Sequence, residues 1–178
     1  MIKKILLTSI LSFFLTVNCF SAGSSGSDSE NNESNYDKAV SHINLATTLA
    51  NAINEISKDL IYLVPTGSKM ELAAKRLNMK IACEIFADRN YEEDGNLVSR
   101  KKPHALIIDP EEAKKHVLSM VKNQALNCHS GKQIPCEIDS VCIHGDNESS
   151  LATAKSIRDN LVDNGLILKP LNLMEKFI

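Results

Sequence analysis

Helical and strand-like segments alternate along most of this chain, and that alternation limits its possible folds more than any other feature. From residue 36 onward, amphipathic stretches with a helical period are separated by short apolar runs. The strand-like runs are Leu60–Val64, Lys80–Phe86, His104–Ile108, Ser140–Ile143 and Leu166–Pro170. Strands that alternate with helices pair in parallel, because each crossover helix returns the chain to the same end of the sheet. The sequence therefore predicts an α/β fold built from parallel βα units.

Capping patterns place two helix starts and one helix end. Ser68 and Glu71 have the spacing of a capping box. Asp109 is a predicted N-cap, and Pro110 after it occupies the first helical position. Gly165 follows the last apolar-periodic stretch and is a typical C-terminal stop.

The first helical stretch, residues 37–58, carries apolar residues on two sides. One stripe comprises Ala39, Ile43, Ala46, Ala50 and Ile53, and the second comprises Leu45, Leu49, Ala52 and Ile56. A helix that is apolar on more than one side is either deeply buried or packs against an additional element.

The N-terminal residues are not expected to belong to the folded domain. Residues 1–22 have the basic start, apolar run and small-residue exit of a signal peptide, and the run is short for a membrane span. The alternatives are an uncleaved anchor or a mis-set start codon. The first interpretation implies a periplasmic or secreted protein, the last a cytoplasmic one, and membrane contact is expected only through this segment. Residues 23–35 form a Ser/Gly/Asn-rich tether, and residues 36–178 form the domain.

Composition excludes several functional classes. The net charge of −2 and the absence of Trp argue against nucleic-acid binding, which needs a basic surface or stacking aromatics. No Gly-rich phosphate loop is present, so no cofactor, ATP included, is bound by a recognisable motif. The Cys and His residues lack metal-ligand spacing, so no metal site is predicted.

The cysteines of the domain fall into two groups. Cys83 and Cys142 lie inside strand-like runs and are expected to be small buried hydrophobic residues. Cys128 and Cys136 flank a hairpin-like excursion around Gly131. In an oxidising compartment these two are either a disulfide pair or free thiols.

Polar residues follow two of the predicted strands at the end where chemistry collects in parallel sheets. His144, Gly145 and Asp146 come directly after one strand. A histidine in this position can take or give a proton near neutral pH. The structural alternative is that Asp146 caps the next helix while His144 satisfies a core hydrogen bond.

The loop after Lys80–Phe86 carries the second cluster. Four side chains in this region form a candidate carboxylate–guanidinium site for a polar substrate: Glu84, Asp88, Arg89 and Arg100. The alternative is a solvated surface loop, of which Glu92 and Glu93 are the clearest members.

Residues 84–100, followed by 104–113 and 141–147, resemble the C-terminal half of the LamB/YcsF family, the group of 5-oxoprolinase A subunits. The first segment, EIFADRNYEEDGNLVSR, matches the family pattern without gaps. It departs at Ser99, where the family usually has Pro. The resemblance extends over residues 36–169.

The resemblance implies a fold, an activity and a set of site residues. The fold is a partial TIM-like barrel of the glycoside-hydrolase/deacetylase type. The family activity is ATP-dependent hydrolysis of 5-oxoproline to L-glutamate, with 5-oxoprolinase subunits B and C as partners and ATP used by the complex. The expected catalytic residues are Glu84, Asp88, His144 and Asp146, with Arg89 and Arg100 binding substrate.

The family motifs D-L-N-x-D-L-G-E and K-P-H-G do not occur in the sequence. A closed barrel takes roughly 200 residues or more, and half a barrel leaves open sheet edges. We therefore expect a truncated protein, similar to the 5-oxoprolinase A subunits, that is inactive alone, as a remnant or as one half of a split enzyme. Its expected partner is a separately encoded N-terminal half or a second copy. The alternative is an exported, non-catalytic binding domain that reuses the half-barrel, so the sequence leaves enzymatic activity open.

Overall fold

The computed structural model describes residues 42–145 and 150–178. The predicted signal segment, the tether, residues 36–41 and Asp146 lie outside the described residues. Within the described ranges, no helix is long and apolar enough to cross a membrane.

A three-stranded parallel sheet forms the centre of the fold. Its strands are β1 (Tyr62–Pro65), β2 (Ile81–Phe86) and β5 (Ser140–Cys142), in the order β1-β2-β5. Glu84 of β2 is in register with Pro65 on one side and with Ser140 on the other. The prediction of an α/β fold with parallel βα units is confirmed.

Within the described ranges, four helices and a hairpin accompany the sheet. The helices are α1 (Ile43–Ile56), α2 (Lys69–Arg76), α3 (Pro110–Asn123) and α4 (Ser150–Asp163). The hairpin consists of β3 (Ala125–Asn127) and β4 (Gln133–Pro135), which pair antiparallel around the predicted turn. Short 3-10 turns at Leu171–Leu173 and Glu175–Phe177 follow α4.

The predicted caps form. Ser68 Oγ accepts a hydrogen bond from the Glu71 backbone N–H at 3.2 Å and starts α2. Asp109 Oδ1 accepts one from the Glu111 N–H at 3.0 Å and starts α3. Gly165 follows α4 with φ +82°, a left-handed conformation that glycine adopts without steric cost.

Two apolar clusters pack on the sheet and show which way the β2 side chains point. Ala46 and Ala50 of α1 lie in one cluster with Val64 and Cys83. Residues of α3 and α4 lie in the other with Ile85. Successive side chains of a strand point to opposite faces. Glu84, between Cys83 and Ile85, therefore points away from these helices.

Two predicted strands do not form. In His104–Ile108, only Leu106 makes a bridge, with Arg89, and Ile108 is 83% exposed. In Leu166–Pro170, only Ile167 shows a single isolated bridge. An apolar run becomes a strand only where consecutive residues find a neighbouring strand, so both predictions were wrong.

The four described cysteines are free thiols. Cys128 Sγ donates a hydrogen bond to the Glu92 carbonyl at 3.2 Å, so its thiol already has a partner. Cys83 is fully buried, as predicted, whereas Cys142 is only partly buried. The structure therefore has the free-thiol form of Cys128 and Cys136.

Candidate active site at the carboxyl end of the sheet

The site centres on a contact between Asp88 and His144, each two residues beyond the end of its strand. Because β2 and β5 are parallel neighbours, their ends deliver both side chains to the same edge of the sheet. His144 Nδ1 lies 2.9 Å and 2.8 Å from the two carboxylate oxygens of Asp88. The imidazole also stacks on Phe86, with ring centroids 6.0 Å apart and planes at 12°. Two independent contacts thus fix the orientation of the ring.

This contact selects the chemistry open to His144. An ionised Asp88 can only accept hydrogen bonds, so Nδ1 of His144 carries the proton that joins them. In the neutral imidazole, Nε2 then holds the lone pair and has the chemistry to accept a proton. The carboxylate stabilises the imidazolium that forms when Nε2 takes a proton.

Glu84 lies on β2 and supplies a second carboxyl group of different character. Ser140 Oγ donates a hydrogen bond to Glu84 Oε1 at 3.2 Å across the β2–β5 ladder. Burial raises the pKa of Glu84 to about 7, although the Ser140 hydrogen bond and the nearby His144 partly oppose this. At neutral pH a substantial fraction of Glu84 therefore retains its proton and is able to donate it.

Arg89 builds the loop that carries Asp88. Its side chain is 6% exposed, and Nη2 donates to the Val98 carbonyl at 2.9 Å. Leu106 bridges to Arg89, while the Ile107 N–H donates to the Asp88 carbonyl at 2.9 Å. The structure thus uses at least one of the Arg89 donors, predicted to bind substrate, to tie this end of the loop to Val98.

Arg100 stands at the far end of the same loop. Its side chain is exposed and forms no hydrogen bond or ion pair with the described residues. The turn before it is set by Gly95, with φ +86°, and by the Asn96 N–H, which donates to Asp94 Oδ1 at 3.0 Å. Arg100 is therefore not brought into contact with Asp88 and His144 in this arrangement.

The two acidic residues predicted to be solvated behave differently from each other. Glu93 is exposed, as predicted. Glu92 is partly buried and lies 3.0 Å from His129 Nε2. Hydrogen bonds from Lys102 and then from His129 outweigh desolvation and lower the pKa of Glu92. Glu92 therefore ties the loop to the β3–β4 hairpin.

Ser140 and Phe86 contact the predicted residues but were not predicted themselves. Side chains two positions apart lie on the same side of an extended backbone, as residues 140, 142 and 144 do. Counting back from His144 in steps of two therefore identifies Ser140 from the sequence. Phe86 has no comparable signal, because stacking on a histidine 58 positions away depends on the register of β2 and β5.

Among the described residues, one group has the geometry of a metal site: Cys83, Glu137 and Asp139, whose ligand atoms lie within 4.8 Å of one another. Lys176 Nζ lies 2.7 Å from Glu137 Oε1 and 2.6 Å from Asp139 Oδ2, so its ammonium already serves both carboxylates as a shared counter-charge. Burial raises the pKa of the Cys83 thiol to about 12, which opposes the thiolate that a metal requires. We assign this group to the structure of the domain.

Comparison with known proteins gives consistent matches over most of the chain. A sequence model of the LamB/YcsF family matches residues 34–176. The 5-oxoprolinase A subunit of Clostridium beijerinckii is 40% identical over 137 residues, which are 77% of this chain and 54% of that protein. The corresponding protein of Rhodopseudomonas palustris is 41% identical over 125 residues, with 70% and 49% covered.

A solved structure supports the same relationship. The lactam utilization protein from Thermus thermophilus superimposes with a TM-score of 0.67 at 27% sequence identity. The match covers 76% of this chain and 53% of that one. The chain spans about half the length of the curated relatives it matches.

Proposed function

The chain belongs to the LamB/YcsF family, and from this premise we propose that its described residues form one wall of a site like that of the 5-oxoprolinase A subunits. The observation that carries the proposal is the Asp88–His144 contact beside the partly protonated Glu84. The identity of about 40% to proteins named as 5-oxoprolinase A subunits supports the substrate class.

The chemistry of 5-oxoproline fits these side chains. Its five-membered ring is closed by an amide, and hydrolysis needs a base for the attacking water and an acid for the departing ring nitrogen. In this proposal, the water oxygen bonds to the ring carbonyl carbon as Nε2 of His144 takes a proton from that water, and Asp88 stabilises the resulting imidazolium. Glu84 gives its proton to the ring nitrogen as the C–N bond breaks.

The remaining predicted residues keep supporting roles in the proposal. Binding of the substrate carboxylate by Arg100 stays a prediction from its guanidinium chemistry, since the structure does not bring Arg100 into contact with Asp88 or His144. Arg89 contributes through the loop it holds, and a direct substrate contact by it stays a prediction. Asp146, which follows His144 by two residues, stays a candidate catalytic residue outside the described ranges.

Further groups must complete the site. The relatives are about twice as long as the matched stretch, so we assign the opposite wall to the part of the barrel outside that match. We propose that this chain is inactive without it, since catalysis requires the whole set of positioned groups. We further propose that ATP enters the reaction through subunits B and C of the family complex.

Reconstitution tests the proposal. This chain would be combined with the non-matching part of the C. beijerinckii A subunit and with subunits B and C from the same organism. We expect ATP-dependent release of glutamate from 5-oxoproline, and none when this chain or ATP is omitted. Assembly of all components without turnover would contradict the enzymatic proposal and favour the non-catalytic binding domain.

A further inference from the structure

His116 lies on α3, outside the candidate site, and its ring contacts two residues of the loop that follows β2. The ring stacks on Tyr91, with centroids 6.4 Å apart and planes at 19°. It also forms a hydrogen bond with the backbone carbonyl of Arg89. A carbonyl oxygen only accepts, so the imidazole donates an N–H in this bond. His116 is thus joined to the chain directly after Asp88.

The surroundings of His116 favour its neutral imidazole. Its Nε2 atom is buried and has no hydrogen-bond partner among the described residues, which leaves Nδ1 as the nitrogen that donates to Arg89. Burial lowers the pKa of His116, and the hydrogen bond to the Arg89 carbonyl only partly opposes this. Protonation of Nε2 would bury a charge, which costs free energy. The ring therefore serves as a fixed, uncharged donor.

The backbone at Asp88 is held by α3 and by the segment that leads into it. The Asp88 carbonyl accepts a hydrogen bond from the Ile107 N–H at 2.9 Å, three residues before α3 begins. The next carbonyl, that of Arg89, accepts from His116 on the second turn of the helix. Two successive carbonyls thus have partners on one side of the loop, which restricts the backbone that carries the Asp88 side chain.

The stack on Tyr91 leads to the other member of the pair. Tyr91 is 2% exposed, and its Oη accepts a hydrogen bond from the Phe86 N–H at 2.9 Å. Phe86 in turn stacks on the His144 imidazole. Contacts that begin at His116 therefore end at both partners of the Asp88–His144 contact.

We propose that His116 is a positioning residue for the Asp88–His144 pair. It aligns the pair through the backbone that follows Asp88 and through the aromatic contacts that reach His144. This role needs no contact with substrate, because a misplacement of about 1 Å at a catalytic group can lower a rate on the order of a hundredfold. The inference rests on the proposed function for its catalytic consequence only, since the alignment is a property of this chain.

The test compares two variants of the full chain that each keep one property of His116. His116→Asn keeps an uncharged N–H donor at the position of Nδ1, and His116→Phe keeps a ring on Tyr91 without a donor. ¹⁵N chemical shifts measure the ratio of the Nδ1–H and Nε2–H tautomers of His144, whose signals are assigned by their absence in His144→Gln. We expect His116→Phe to lower that ratio by about tenfold, and His116→Asn to stay within about threefold of the wild type.

The same order of effects is expected for kcat in the reconstituted enzyme. His116→Phe should lower kcat by about ten- to a hundredfold and leave KM within about twofold, because no substrate contact is removed. The control is Ala50→Gly on α1, in the apolar cluster to which α3 does not belong. Glycine weakens a helix interior, so this variant should lower the melting temperature and leave the His144 tautomers and kcat at wild-type values.

Unchanged His144 tautomers in a folded His116→Phe chain would overturn the proposal. A tautomer ratio that changes as much in Ala50→Gly as in His116→Phe would also overturn it, because His116 would then act through stability alone. His116→Met, which also lacks a donor, replaces His116→Phe if that variant does not fold, and unfolding of both overturns the proposal in favour of a folding role. A changed tautomer ratio without hydrolysis after reconstitution contradicts the proposed function and leaves the positioning role standing.

Discussion

At the residue scale, two carboxyl groups four positions apart acquire different properties from their surroundings. Asp88 lies beyond the strand and is held against the His144 imidazole. Glu84 lies within the strand, where burial raises its pKa to about 7. Asp88 is placed to support a base, and Glu84 is placed to keep a proton for an acid role. Active sites commonly divide acid and base roles between two carboxyl groups in this way. The proposed reaction depends on this difference.

Stability should depend on pH through Glu84. Its pKa is about 7 in the folded state and 4.5 in the unfolded reference, so folding becomes less favourable as pH rises from 4.5 to 7. Below pH 4.5 Glu84 does not change the free energy of unfolding, and above pH 7 it lowers that free energy by its full amount. Glu84→Gln should therefore raise the free energy of unfolding at pH 8 by roughly 3 kcal/mol and leave it unchanged at pH 4.

Urea unfolding of the wild type and of Glu84→Gln at both pH values measures this difference. Glu93→Gln is the matched control, since Glu93 is exposed on the loop surface. The free energy of unfolding of Glu93→Gln should stay within about 0.5 kcal/mol of the wild-type value at each pH. A Glu84→Gln variant that is less stable than the wild type at pH 8 would contradict the assignment of a buried, proton-retaining carboxyl.

The Asp88 carboxylate should determine the tautomer of His144. In Asp88→Asn the acceptor becomes an amide that can also donate, so the preference for a proton on Nδ1 is expected to be lost. In the reconstituted enzyme the variant should lose on the order of 10³-fold in kcat, the range for a misdirected general base. ¹⁵N chemical shifts of the imidazole measure the tautomer in this chain alone, and unchanged shifts would rule out the role of Asp88.

The individual site residues were predictable to different degrees. Asp88 and His144 were accessible from sequence, because each follows an apolar strand-like run at the end where parallel sheets gather polar groups. Their direct contact was not, since it depends on the register of β2 against β5. Residue type did not distinguish the two arginines predicted to bind substrate: Arg89 is buried, whereas Arg100 is exposed.

At the element scale, the C-terminal turn is joined to the strand that carries the site. Asp139 is 6% exposed; its N–H donates to the Cys83 carbonyl, and its carboxylate accepts from the Cys83 N–H. Lys176, from the last 3-10 turn, completes this arrangement. Burial lowers the pKa of Lys176, but its hydrogen bonds to Asp139 and Glu137 outweigh this and raise it. The residue after Asp139 is Ser140, the partner of Glu84.

Removal of the Lys176 ammonium should destabilise the domain. Lys176→Met leaves the buried Asp139 carboxylate without its counter-charge, which should cost about 2 kcal/mol, less than a fully buried pair because Lys176 is partly exposed. Lys80→Met is the control, since Lys80 pairs with an Asp59 side chain that is 93% exposed and should cost under about 0.5 kcal/mol. Equal losses in the two variants, measured by urea unfolding at pH 7, would contradict the role of the Lys176 contact.

The elements show which sequence signals determine structure locally. Ser68, Asp109 and Gly165 acted as predicted, because a cap satisfies backbone groups within its own helix end. His104–Ile108 did not form a strand although it is as apolar as Tyr62–Pro65. A strand needs a neighbour, and the only bridge in that run is Leu106 with Arg89. Local signals therefore predicted helix ends better than strands.

At the scale of the whole molecule, the parallel sheet gathers the candidate site residues at the carboxyl ends of β2 and β5. The alternation of helices and strands predicted the parallel pairing, whereas the strand order β1-β2-β5 was not predicted. Two apolar side chains of α1, Leu45 and Ile56, are exposed in the described part of the chain, so the second apolar stripe predicted on this helix is only partly covered there.

We propose that this chain supplies the acid–base wall of a site that hydrolyses 5-oxoproline, and the kcat of the reconstituted enzyme with His144→Gln measures that contribution. Relative to the wild type, kcat should fall on the order of 10²- to 10⁴-fold, the contribution of a positioned general base. His129→Gln, on the hairpin side of the same loop, should retain the wild-type rate. A His144→Gln enzyme that releases glutamate as fast as the wild type would contradict the role of His144 as the general base.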